Sequence, residues 1–87
     1  MNHSFANLFT IVSELQQMEA ARLSSVRRQR DELAKKIEKF KANLPKDSKK
    51  LDEAKRALNK LESDNQAAKA KYEIEYEMKR KESLSNA

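Results

Sequence analysis

Lys35, Lys36, Lys39, Lys41, Lys46, Lys49, Lys50, Lys55, Arg56 and Lys60 crowd positions 35 to 60, against only Glu38, Asp47, Asp52 and Glu53. The rest of the chain holds nine basic and ten acidic residues, so the entire net charge of +5 belongs to this one stretch. A charge run is often no more than a solvated helical face, but cations concentrated in one place can meet a single anionic surface together. Beside acidic lipid each Lys or Arg contributes about 1 kcal/mol, and the attraction weakens as salt rises. Nine of the ten are lysine, a compact point charge suited to mobile head groups. Reading a nucleic-acid sequence would call for more arginine and polar side chains. Lys39, Lys41, Lys46, Lys49 and Lys50, nearest the single proline, are therefore the candidate contacts with an anionic membrane surface.

Other chemistries lack their parts. With no cysteine there is neither a disulfide nor a thiolate nucleophile, and His3 stands alone where a metal site needs companions at set spacings. Without glycine no phosphate-cradling loop can be written. Carboxylate pairs such as Glu73 and Glu77 recur at helical spacing beside lysines and read as surface charge patterning. The expectation is a protein that is not an enzyme and needs no cofactor, metal or small-molecule substrate. No run of 18 apolar residues is present, and the opening MNHSFANLFTIV lacks the basic front of a secretory signal. A cytoplasmic location, peripheral on membranes, is expected.

The elements that would position the lysines are helices. Ala, Glu, Lys, Leu and Arg dominate the 87 residues, the composition of long helices and coiled coils, and the core of so short a chain must be thin. Phe5, Phe9, Val12, then Leu23 and Val26, then Leu33, Ile37, Phe40 and Leu44 follow the four-three alternation of a heptad seam. Leu51, Ala54, Leu58, Leu61, Asn65, Ala68 and Tyr72 repeat it. Pro45 disfavours helical geometry at Leu44, and Asp47 or Ser48 can cap the next helix, with Asp52 and Glu53 near its positive end. These features predict an all-α fold, an antiparallel two-helix coiled-coil hairpin bent near Pro45. Helix one is expected over about 4–43, the bend over 44–47 and helix two over about 48–83, all in one helical domain, 1–87, with arms of about 60 Å.

If the bend centres on Pro45 and Lys46, Phe40 pairs with Leu51, Ile37 with Ala54, Leu33 with Leu58, Arg30 with Leu61 and Val26 with Asn65. Arg30 and Asn65 are polar residues on the seam, which cost stability but can set register; simple tolerance of a partly wet seam is the alternative. Far from the bend the match fails, because Val12 meets Lys79, Phe9 meets Glu82 and Phe5 meets Asn86. Leu8, Ile11, Leu15 and Met18 widen that apolar face further. Fully burying a large apolar side chain contributes roughly 1.5 to 3 kcal/mol. Phe5, Leu8, Phe9, Ile11, Val12 and Leu15 are therefore expected to be covered by further helices in a dimeric bundle. In YEIEYEMKRKE, Tyr72 and Tyr76 fall on one side, Ile74 and Met78 on the other, which suggests more than one packing neighbour.

The second arm, KDSKKLDEAKRALNKLESDNQAAKAKYEIEYEMKRKE, resembles the helix that follows the tip of BAR domains of the sorting-nexin and amphiphysin type. Lys50, Leu51, Ala54 and Leu58 match a K-L-x-x-A-x-x-x-L pattern, and Ala68, Tyr72 and Glu73 a later A-x-x-x-Y-E. RRQRDELAKKIEKFK resembles the incoming helix of the same hairpin. A BAR monomer carries three long helices, of which two have counterparts here. The resemblance implies a crescent-shaped dimer on curved membranes, with Lys46, Lys49 and Lys50 at the basic tip. The leading expectation is thus a dimerising helical scaffold that binds anionic membranes. The alternative is an antiparallel coiled-coil module for a protein partner, such as a small GTPase or a subunit of a cytoskeletal complex. A third reading is a basic hairpin on RNA or DNA backbone.

Overall fold

A computed structural model describes residues 2–85, with side chains for 10–82 and Leu84. It is an all-α helical hairpin of two helices, α1 (Asn2–Lys41) and α2 (Ser48–Ser85). Helix α1 stops two residues earlier than the sequence predicts, and its last turn carries Lys39 and Lys41, favourably placed against the negative end of the helix dipole. The final carbonyls are taken up locally: Ala42 N–H donates to Glu38 O at 3.1 Å and Asn43 N–H to Phe40 O at 3.2 Å. One predicted seam residue is corrected here. Because α1 ends at Lys41, Leu44 leaves the seam and is half exposed.

The reversal occupies 42–47 and includes a cis Leu44–Pro45 peptide. None of the described residues adopts a positive φ, so the turn is made without left-handed backbone. Of the two predicted caps, Asp47 takes the position: its carbonyl accepts the first α2 bond from Leu51 N–H at 2.8 Å. The first turn of α2 carries no acid, so Asp52 and Glu53 lie beyond it. The Asp47 carboxylate, on a residue only 8% exposed, accepts from Asn43 Nδ2 at 3.1 Å.

Contacts divide the chain into two compact units. In the unit Ser24–Gln66, Ile37, Leu51 and Ala54 form the buried core with Phe40 and Leu58 packed against it, and Val26 is buried too. These are the residues that the expected register places together. Arg30, assigned beside Leu61, donates from Nε to Glu62 Oε1 at 2.6 Å, one position along. Both partners are more than two-fifths exposed, so the pair contributes below about 1 kcal/mol. Asn65 is partly buried on the seam.

The other unit joins 1–23 to 67–87. Here polar and aromatic residues interrupt the described seam: Glu19 and Arg22 on α1 and Tyr72 and Tyr76 on α2 are partly buried beside the apolar Val12, Leu15, Leu23 and Ala68. The two tyrosine rings pack at 5.9 Å and 50°. Ile11, Val12 and Leu15 are partly buried, whereas Met18, 70% exposed, is not covered. Phe5, Leu8 and Phe9 lie on α1, but their side chains are outside those described. Tyr72 and Tyr76 turn inward while Ile74 and Met78 face solvent, as the two-sided pattern implies.

Candidate functional site

The basic side chains at the bend come from three elements: the last turns of α1, the connecting turn, and the first turns of α2. Neighbours on a helix diverge by about 100°, so Lys35 and Lys36, or Lys49 and Lys50, cannot share one face. The charge therefore surrounds the bend rather than striping one side. All ten side chains are exposed. Among the described residues, only Lys41 of the ten forms an ion pair, with Glu38 Oε1 at 3.7 Å, and nine have no carboxylate within salt-bridge distance.

The acidic residues in the stretch do little to quench this surface. Asp47 is turned inward onto the Asn43 amide, and Asp52 and Glu53 are exposed without an ion pair. The predicted contacts Lys39, Lys41, Lys46, Lys49 and Lys50 are thus all exposed around one turn. This arrangement can attract several anionic groups at once with no fixed geometry, which suits a surface of phosphates better than a single small ligand. Each ammonium is strongly hydrated, so binding of this type is reversible and screened by salt.

A second polar cluster lies in the unit of the helix ends, and the apolar pattern gives no sign of it. Arg22 donates from Nε and Nη2 to the two carboxylate oxygens of Glu19, at 2.6 and 2.8 Å, one turn apart on α1. The paired hydrogen bonds hold the Glu19 carboxyl below its ordinary value, against the opposing effect of burial. Burial, with the neighbouring Tyr76 and Glu19, raises the Tyr72 phenol. The signal in the sequence was the four-three spacing itself, continued through Leu15, Glu19 and Arg22 to Val26 at polar positions. The cluster satisfies its own charges and reads as the polar seam of this unit.

Among the described residues, no helix is long and apolar enough to cross a membrane. No protein-family model matches the chain, and no curated protein or solved structure matches it.

Proposed function

We propose that this chain is a non-enzymatic, self-associating helical scaffold that binds anionic membrane surfaces through its basic bend, in the manner its resemblance to BAR domains implies. The observation that carries the proposal is the exposed lysine cluster, nine of whose ten cations have no carboxylate partner among the described residues. Four to six engaged lysines at about 1 kcal/mol each would give measurable, salt-sensitive attachment. Met18, Ile74, Met78 and Leu84, each more than half exposed in the single chain, support association with a further copy.

Co-sedimentation with vesicles with and without phosphatidylserine tests the membrane part. Pelleting is expected only with the acidic lipid and should fall steeply with salt; absence of pelleting at low salt removes the reading. Reversing Lys46, Lys49 and Lys50 to Glu should abolish pelleting with helicity unchanged. Self-association is tested by sedimentation, where replacing Phe9 and Val12 by Glu should halve the mass of a dimer. A monomer before substitution would defeat that half of the proposal.

The outward Ile74 and Met78 side chains, 62% and 63% exposed, also favour a second reading, a coiled-coil module for a different helical protein. In that case the chain would not self-associate, and the Lys46, Lys49 and Lys50 reversal would leave partner binding intact.

A further inference from the structure

The bend is a closed loop. Asp47 N–H donates to Asn43 O at 3.1 Å, Asn43 Nδ2 donates to the Asp47 carboxylate at 3.1 Å, and Ser48 N–H donates to Pro45 O at 3.1 Å. These bonds hold three residues between them, Leu44, Pro45 and Lys46, and all three are exposed. Leu44 is 50% exposed, against 7% for Leu51 a few residues on. Among the described residues of 24–66 it is the only large apolar side chain left exposed, since Met18, Ile74, Met78 and Leu84 all belong to the other unit.

A leucine that served packing would be expected to turn back onto α1, as apolar residues just past a helix end commonly do. This one stays out, beside proline, inside the densest group of cations on the chain. Such a combination matches the layered chemistry of a bilayer boundary. Lysine stems lie along apolar surface while their ammonium groups stay at the phosphates, and an apolar side chain between them can enter the acyl region beneath. A nucleic-acid backbone offers the phosphates without that apolar layer.

We propose that Leu44 and Pro45 form an apolar wedge that enters the acyl boundary of an anionic bilayer while Lys41, Lys46 and Lys49 hold the head groups above it. The inference rests on the membrane reading given above and adds a part that salt does not screen. Attachment then has two separable components, a lysine part lost in salt and a leucine part that persists.

The chain has no tryptophan, so Leu44→Trp introduces a unique fluorophore. With vesicles of phosphatidylserine and phosphatidylcholine its emission should shift to the blue and be quenched by lipids brominated on the acyl chain. Ser63→Trp, exposed on α2 about 22 Å from the start of that helix, should show neither change. Leu44→Ser should weaken vesicle binding about fivefold and remove the fraction that survives raised salt. Circular dichroism should be the same for all three variants. Pelleting with an unshifted Leu44→Trp spectrum would overturn the wedge and leave charge-only membrane binding standing. Absence of pelleting at low salt would overturn both. A shift on adding RNA but not vesicles would assign the bend to nucleic acid and overturn both as well.

Discussion

Residues 24–66 bury Val26, Ile37, Leu51 and Ala54 on heptad positions and expose one large apolar side chain, Leu44. In the unit of 1–23 with 67–87, Glu19, Arg22, Ala68 and Tyr72 stand on such positions, no described side chain is buried, and Met18, Ile74, Met78 and Leu84 are exposed. The same spacing thus gives one unit that closes its own core and another whose apolar groups are only partly buried, as at Val12 and Leu15, or exposed, as at Met18 and Ile74. Spacing decides which residues face inward, while residue type decides whether facing inward excludes water. The first unit presents charge to the surroundings and the second presents hydrocarbon, and the proposed scaffold uses each for a different partner.

The contrast can be broken at its strongest point. Leu51→Ala should cost about 2–4 kcal/mol, because the site is closed on several sides, and thermal denaturation followed by circular dichroism should show it. Met18→Ala, at a side chain 70% exposed, should change stability by less than about 0.5 kcal/mol. Equal losses at the two sites would abolish the distinction. Next in size is Asp47→Ala, expected to cost about 1 kcal/mol through loss of the buried acceptor for the Asn43 amide. A loss confined to the helix ends in hydrogen exchange would place the effect in the wrong unit. Arg30→Ala should cost less than about 1 kcal/mol, since both partners are well exposed, and a double-mutant cycle with Glu62→Ala should return a coupling of that size.

The smallest effects belong to pH and sharpen the account of the polar seam. Glu19 is held below its ordinary value of 4.5 in the fold, so its contribution is present above that value and fades as pH falls through the lower folded one. Glu19→Gln should make the acid limb of stability shallower. Tyr72 is shifted the opposite way, so its contribution is present below pH 10 and is lost as pH rises beyond it. Tyr72→Phe should flatten the alkaline limb. Unchanged limbs in melting temperature against pH would show that these groups carry no linkage to folding.

Much of the unit around the bend was legible in the sequence because hydrophobic spacing carries its information directly. The cluster of Ile37, Leu51 and Ala54, with Phe40 and Leu58 each packed against it, follows from apolar periodicity and one proline. Leu44 did not, since the period continues to it although the helix stops at Lys41, and a backbone terminus outranks a pattern. Glu19 and Arg22 were illegible for another reason: they occupy inward positions by satisfying each other's charge, and a search for apolar residues passes over them. Glu62 replaced Leu61 as the neighbour of Arg30 because a guanidinium reaches for a carboxylate one step along rather than an aliphatic chain directly opposite. The exposed lysines were plain from composition alone, but the inward turn of Asp47 that leaves them unquenched depends on the Asn43 amide, which only the folded loop brings near.

The chain reverses direction without any described residue at positive φ. The φ values at 42–47 therefore require no glycine, and positions 42, 44 and 46, which stand outside the hydrogen bond between Asn43 and Asp47, are exposed. A library randomised at 42, 44 and 46 alone would sample surface properties on a constant scaffold, and whatever it enriched would report the environment that the turn encounters.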